Sequence, residues 1–297
     1  PTANFPYGII KQNRTERSGV VSTLYAVYKP KNKYIGYLIH EYFLSWVHTY
    51  NYLVPLVQKG AKNTINIGNS EFLNGSILYL PSIEKEQQKI VSFLKISDEW
   101  TSILRKQKES LEEYKKGIMQ KIFSQEIRFK DDNGKNFPKR EECMVGQIIK
   151  EYSDKNNSKL YEVVAVGKYG IRKRSDIFSK ELSKDISKNK IIKQNTLTIG
   201  IGSTQIDIGI LLEDNIYSVS PAYSTFNIIT ERVNPLFLKE LFIFLSKKLS
   251  ILYMITGARQ GKSINKKDFL KHVLILPSLP EQQKIADCLS SLDELIT

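Results

Sequence analysis

Cysteine is nearly missing from this chain: Cys143 and Cys288 are the only two in 297 residues. Two are too few for a disulfide framework, and neither falls in a Cys-x-x-Cys pair. Histidine is as scarce. His40, His48 and His272 are scattered, with no metal-ligand spacing to the cysteines or to one another, so ordinary surface or core histidines are expected. Long apolar runs are absent too. The longest, Leu241 to Leu245 and Val273 to Leu276, are far too short to cross a bilayer, and no charged-then-apolar leader opens the sequence. A soluble, cytoplasmic protein without a membrane partner is expected. The chain also lacks any Pro-Pro step, which excludes the Asn/Asp-Pro-Pro-Tyr/Phe loop that grips a flipped base in amino-methyltransferases of DNA.

Acidic charge is the last shortage. Asp plus Glu number 31 against 44 for Lys plus Arg, a formal charge of +13. An acidic partner is expected, and nucleic acid is the commonest for such a protein. The excess is unevenly placed. Residues 1–97 carry a net +6, 98–139 only +2, 140–275 a net +8 and 276–297 a net −3, so two basic blocks flank a nearly neutral one. Length, with a hydrophobic fraction of 41%, suits two domains of about 150 residues each.

An internal repeat organises those blocks. Val21-Ser22-Thr23-Leu24-Tyr25-Ala26-Val27-Tyr28 recurs as Val219-Ser220-Pro221-Ala222-Tyr223-Ser224-Thr225-Phe226, and both alternate like half-buried strands. Gly60-Ala61-Lys62 with Ile67 and Phe72 recurs as Gly257-Ala258-Arg259 with Ile264 and Phe269. Leu80-Pro81-Ser82 and Glu86-Gln87-Gln88-Lys89-Ile90 recur as Leu276-Pro277-Ser278 and Glu281-Gln282-Gln283-Lys284-Ile285. The three matches keep one order at an offset of about 197 residues, so the duplication is real. Apolar helical stretches, Tyr42 to Val57 and Leu236 to Ile255, fall between the first two. The second copy has about 80 residues between Arg140 and Val219 where the first has 20 before Val21; a chain cut off or rearranged within its first copy is the expectation.

A helix follows each Leu-Pro-Ser. Ser278 and Glu281 have capping-box spacing with Pro280 in the first turn, and Ser82 can cap the first copy. The first helix meets no Gly or Pro from Glu84 until Gly117 and persists to about Ser124. Ile90, Phe93, Leu94, Trp100, Leu104, Leu111, Tyr114, Ile118 and Ile122 recur on it at near-heptad spacing, which asks for a partner helix. At 1.5 Å per residue it is roughly 60 Å long. The helix from Glu281 carries Ile285, Leu289, Leu292 and Ile296 and spans only about 25 Å, leaving part of the seam for another chain. Asp131 to Pro138 is a turn-rich linker.

Nucleotide and catalytic motifs fail on inspection. Gly200-Ile201-Gly202 lacks the third glycine and the acidic residue of a dinucleotide fingerprint, so a turn or close backbone approach is expected. Gly257 to Ser263 is short of a P-loop, because Thr256 stands where the first glycine is required. No Ser/His/Asp grouping is supported by adjacency. The chain is expected to be non-catalytic.

Leu276 to Ile285, Val219 to Tyr223 and Gly257 to Arg259, with Met119-Gln120-Lys121-Ile122-Phe123-Ser124-Gln125, resemble the specificity subunit of type I restriction–modification systems. The resemblance runs the length of the chain. It implies an α+β fold of two tandem mixed α/β target-recognition domains joined by long coiled-coil-forming helices. The domains are expected at 1–81 (lacking its opening portion) and 140–277. The central spacer helix is expected at 82–125, a linker at 126–139 and the start of a second spacer helix at 278–297. Each domain of that family reads half of an asymmetric, bipartite double-stranded DNA site, and an antiparallel helix pair sets the gap. Methylation and cleavage belong to methyltransferase and restriction subunits, which bring S-adenosylmethionine, ATP and magnesium; this chain is expected to bind no cofactor and no metal. The rival expectation is a non-catalytic helical interaction or scaffold protein with basic faces.

Base edges are read by long polar side chains and phosphates by cations. Lys168, Tyr169, Arg172, Lys173 and Arg174 follow an apolar strand, Glu162 to Val166, on an expected loop. Arg259, Gln260, Lys262 and Ser263 form a second polar loop, echoed by Lys62, Asn63, Thr64 and Asn66 in the first copy. Ser203, Thr204 and Gln205 are weaker candidates, and Tyr25 and Tyr223 are expected in the core. Ile90, Phe93, Leu94, Trp100, Leu104, Leu111, Tyr114, Ile118, Ile122, Ile285, Leu289 and Leu292 are the candidate subunit interface, for a methyltransferase subunit or, by self-association, a second copy of the chain.

Overall fold

The computed structural model describes residues 9–15, 17–23, 25–59, 65–75, 77–167, 170–176, 185–202, 205–256 and 262–296. The chain divides into two compact units, Pro1–Gln107 and Lys108–Thr297. The boundary falls inside a single 40-residue helix, because the two ends of that helix are spent in different cores.

The first unit is mostly helical. Asn32 accepts a hydrogen bond from the Ile35 amide and starts α1, Lys33–Tyr42. The expected helix from Tyr42 to Val57 breaks at Phe43–Ser45, where Ser45 caps a separate α2, Trp46–Leu53. Pro55 then ends the regular helix in a 3-10 turn, Val54–Leu56. A two-residue hairpin follows, β1 Gln58–Lys59 and β2 Ile65–Asn66, then α3, Asn69–Asn74, and the long α4, Glu84–Phe123. Phe43, Tyr52, Leu53 and Leu56 bury against Ile67 and Phe72. Val91 of α4 buries with Tyr37 and Leu38, flanked by Ile90, Leu94 and Leu80.

Among the described residues, 21–23 and 25–28 do not form the expected strand. Extended chain is held only by a neighbour that takes its hydrogen bonds, and no strand is paired with these residues among those described. Tyr25, expected in the core, is 47% exposed.

The second unit is built on a four-stranded antiparallel sheet. Its elements are β3 Glu141–Met144, β4 Ile149–Glu151, β5 Val164–Gly167, β6 Gly170–Lys173, β7 Lys190–Ile192, β8 Thr196–Ile201, β9 Ile206–Leu211, β10 Tyr217–Val219 and β11 Ser224–Ile228. They continue with α5 Pro235–Tyr253, β12 Met254–Thr256, β13 Lys262–Ile264, α6 Lys266–Leu270, β14 Val273–Leu276 and α7 Leu279–Ile296. The central sheet runs β4-β11-β8-β9. Period-two alternation sends Leu197, Ile199, Phe226, Ile206 and Ile210 to one face. There they join Phe237, Leu238, Phe242 and Leu249 of α5, Phe269 of α6, Ile285 and Leu289 of α7, and Met119 and Ile122 of α4 in one core. The opposite face is covered by the β5–β6 hairpin and the β7–β10 pair, around Val164, Ile192, Leu211 and Val219. Strand β14, unlike residues 77–80 of the first unit, has a partner in β3.

The residues after Leu-Pro-Ser hold their helices by a device other than the expected capping box. Gln282 donates to the Pro277 carbonyl at 2.8 Å and accepts from the amide of Asn234, the residue that caps α5. Gln87 donates to the Pro81 carbonyl at 2.7 Å and accepts from the side chain of Asn32, the cap of α1. The first glutamine of each repeat thus stitches its helix to the cap of an earlier one, α1 or α5. Ser278 Oγ is buried without a hydrogen bond, and Glu281 is drawn elsewhere. Arg140 donates to Glu281 at 3.0 Å and to the Ile122 carbonyl at 3.1 Å, and Arg128 donates to the same carboxylate at 2.7 Å. The expected linker is accordingly packed in place, with Phe129 against the core and Lys284 donating to the Lys130 carbonyl. Helices α4 and α7 run antiparallel within this unit, since Lys115 meets Asp293 while the end of α4 meets the start of α7.

Candidate nucleic-acid interface

Both units carry the same small construction after their apolar helices. In the second, β12 and β13 pair antiparallel with Met254 opposite Ile264, Ile255 opposite Ser263 and Thr256 opposite Lys262. In the first, β1 and β2 pair with Gln58 opposite Asn66 and Lys59 opposite Ile65. Each ribbon is followed by a short helix, α6 or α3, whose phenylalanine packs into its own core: Phe269 fully and Phe72 in part. The described residues on either side of each expected polar loop are therefore paired as a two-stranded ribbon, a shape that fits the major groove of DNA. Lys262 and Ser263 stand exposed on β13, and Asn66 ends β2. Lys62, Asn63, Thr64, Arg259 and Gln260 lie outside the described residues.

The other described candidates lie on the β5–β6 hairpin and at the start of β9, which pack against each other. Tyr223 joins them. Its ring lies over Gly200, where an added Cβ would come 2.3 Å from ring atom Cε1, and its hydroxyl reaches the Val166 backbone near the tip of β5. Gly200 is glycine because an aromatic ring occupies the place of a side chain. Register puts Gly200 opposite Asp207 in the β8–β9 ladder, so the ring and the carboxylate share a face. Asp207 is held by the Gln205 side chain, but burial outweighs that bond and pushes its carboxyl above the usual range. Gln205, expected to meet a base, is thus engaged with Asp207. Ser203 and Thr204 lie outside the described residues, as do Lys168 and Tyr169.

Arg172 and Lys173 sit on a strand and not on the expected loop, because Gly170, at φ 83°, turns the chain back so that β6 pairs with β5. Arg172 lies opposite Ala165, on the face away from Ile171, whose side chain packs toward Gly209. Lys173 is 3.0 Å from Glu162, and this hydrogen-bonded carboxylate raises its pKa. Arg174 follows in a 3-10 turn. Lys190 of β7 donates to the Tyr223 carbonyl, and burial lowers its pKa, helped by Lys266.

The helix seam divides sharply. Phe93, Trp100, Leu104 and Tyr114 are exposed on α4, Trp100 at 66%. Ile122, Ile285 and Leu289, expected at a subunit interface, are instead fully buried in the core of the second unit, because α4 and α7 close over its sheet there. Ile90 and Leu94 are half-covered in the first unit, and Leu111, Ile118 and Leu292 are half-buried in the second.

The histidines have structural partners. His40 Nδ1 accepts from the Gln12 amide, and burial lowers its pKa; His272 lies 2.7 Å from the Tyr253 hydroxyl, with its pKa likewise lowered by burial. His48 stacks on Tyr42. Among the described residues no helix is long and apolar enough to cross a membrane. Two groups escaped the sequence reading, the Gln87 and Gln282 stitches and an ion pair among Lys115, Glu240 and Asp293. The glutamines had left a signal in their recurrence six positions after a proline in the first copy and five in the second.

Residues 127–297 match the family described as the type I restriction modification DNA specificity domain. Among solved structures, the S subunit of a type I restriction–modification system from M. genitalium is similar at TM-score 0.52 and 13% identity, over 88% of this chain and 66% of that one. A structure of a type I restriction–modification system, solved for its assembly and conformational transition, is similar at TM-score 0.50 and 13% identity, over 89% of this chain and 64% of that one. At such identities the likeness is one of fold. The chain spans under two thirds of the length of either. No curated protein matches the sequence.

Proposed function

The chain belongs to the family of type I restriction–modification DNA specificity domains, and from that premise we propose that it is a non-catalytic DNA-recognition subunit. Its first and second recognition domains, within 1–81 and 140–277, each read one half of a bipartite, asymmetric duplex target. The spacer helix at 82–125, joined through 126–139 and accompanied by 278–297, sets the gap and docks methyltransferase subunits through Phe93, Trp100, Leu104 and Tyr114. Chemistry is supplied by methyltransferase and restriction partners carrying S-adenosylmethionine, ATP and magnesium.

The observation that carries this reading is the duplication itself. One order of parts (apolar helix, two-stranded ribbon interrupted by polar residues, short helix with a phenylalanine packed on its own core, proline, long helix) occurs twice, in a chain of net charge +13. Two ribbons with different side chains suit two different half-sites. Arg and Lys favour guanine, while Asn and Gln pair with adenine. Arg172, Lys173, Arg174 and Lys262 supply cations at the second site, and Lys62 and Arg259 are the corresponding cations of the two copies in the sequence.

The test is a comparison of methylated sites in cells carrying the whole system with and without this gene. A bipartite motif that vanishes with the gene is expected. In purified form, the affinity for duplex DNA should fall steeply with salt, with a slope of about −0.9 for each phosphate neutralised. A flat salt dependence and an unchanged methylation pattern would leave the scaffold reading in its place. Arg259→Ala should weaken cognate binding by about 1–3 kcal/mol if it meets a base edge; equal losses on scrambled DNA would make it a phosphate contact.

A further inference from the structure

Three helices of the second unit meet at one buried ammonium. Lys115 of α4, its side chain 13% exposed, places Nζ 2.7 Å from Glu240 Oε2 of α5 and donates to both carboxylate oxygens of Asp293 of α7 at 2.7 Å. Glu240 is fully buried, and its contact with Lys115 is an ion pair without the angular geometry of a hydrogen bond. Seven residues further along α4, the Ile122 carbonyl is held by Arg140, which is itself held by Glu281.

We propose that Lys115 is the positioning residue that aims the spacer helix, with the Arg140–Glu281 node as its pivot. This rests on the DNA-recognition reading above and adds to it a residue that controls which gap is read.

The reasoning is mechanical. A rod attached at one point can swing; a second attachment fixes its direction. At 1.5 Å per residue, Lys115 lies about 10 Å from the pivot at Ile122, while the start of the helix at Glu84 lies about 57 Å from it. Slack of about 1 Å at Lys115 is therefore magnified roughly fivefold at the far end, which exceeds one base step of about 3.4 Å. Apolar packing thins toward Lys115: Met119 and Ile122 are buried in the core, but Ile118 and Leu292 are only half-buried and Tyr114 is exposed. Burying a charge pair commonly costs more than packing hydrophobic residues of the same volume. What the ions add is a single permitted geometry: an ammonium centred between two carboxylates is penalised by displacement in either direction, whereas a leucine among leucines slides.

The test uses the full chain with Cys143→Ala and Cys288→Ala, spin-labelled at exposed Ser102 and Lys247 after each is changed to cysteine. Lys115→Met should broaden the distance distribution between the labels, and the same variant, assembled with its methyltransferase, should methylate sites with gaps one base pair shorter and longer. Methylation at the original gap should fall by about 10- to 100-fold, the range that small misplacements cost elsewhere. Because Lys115→Met leaves buried Glu240 facing Lys239 at 3.7 Å in place of its nearer partner, Lys115→Met with Glu240→Met, which removes the buried carboxylate as well, is the companion variant. Should both lose the folded transition, Asp293→Asn removes the half-exposed partner and is read in the same way. A distance distribution as narrow as the parent's in a folded variant overturns the proposal. A broadened distribution with one unaltered gap supports the aiming role and sinks the reading of the helix as a ruler.

Discussion

Gln87 and Gln282 do the same work in the two units, whereas Glu86 and Glu281, one residue before each, do not. Both glutamines return to a proline carbonyl and to an asparagine that caps an earlier helix of the same unit, α1 or α5. Glu86 is exposed, while Glu281 is fully buried between Arg128 and Arg140. The same letters thus code for a neutral stitch that works wherever the local turn forms and for a charge whose fate depends on distant partners. A buried carboxylate is tolerable only with cations around it. The second unit supplies two from residues 128 and 140, before its sheet begins. The comparison teaches that a repeat conserves local geometry first and ionic context only where the surrounding chain provides it.

The sharpest way to break this contrast is to remove one charge from each unit. Glu281→Gln should cost about 3–5 kcal/mol of stability in denaturant unfolding by stranding two arginines, while Glu86→Gln should stay within about 0.5 kcal/mol. Similar losses would mean that the buried node is not special. Next in size are the stitches. Gln282→Ala and Gln87→Ala should each cost about 1–3 kcal/mol, because each leaves buried polar groups without a partner. A loss confined to one unit, followed by unit-specific hydrogen exchange, would show that the two stitches are not equivalent.

A third test concerns the tyrosines of the first repeated segment. Gly200→Ala forces a Cβ against the Tyr223 ring and should cost about 1–3 kcal/mol, read as a lowered melting temperature. Tyr25→Ala in the first unit should leave that temperature unchanged. The smallest effect is expected at Asp207. Burial raises its folded pKa above the unfolded value, so its ionisation opposes folding as pH rises through the folded pKa, and that cost is absent in acid. Asp207→Asn should raise the melting temperature slightly at neutral pH and not at all in acid; a gain at both would point to a cause other than ionisation.

Much of the architecture could be read from the residues. The long helix was visible in its lack of Gly and Pro and its near-heptad apolar positions, and it forms from Glu84 to Phe123. The duplication was visible in three ordered matches, and it corresponds to matching ribbons and stitches. The strand expected at residues 21–28 failed because alternation describes a face and not a neighbour. The capping box failed because Glu281 had a better use in the core than at the helix start. The basic cluster was expected on a loop because its cations hid the pairing of Val164 with Lys173 across a glycine turn.

Sequence alone determined the quantities that live in short stretches of chain: that one long helix runs without a break, which residues alternate, that the module is duplicated, and that the charge is basic. Tertiary structure alone decided which of two identical glutamates would be buried, which heptad residues would close over a sheet, and which lysine would meet two carboxylates from other helices. The reason is physical. Propensity, periodicity and turn chemistry act over a few residues, while the cost of burying a charge depends on partners that only folding brings within a few ångströms.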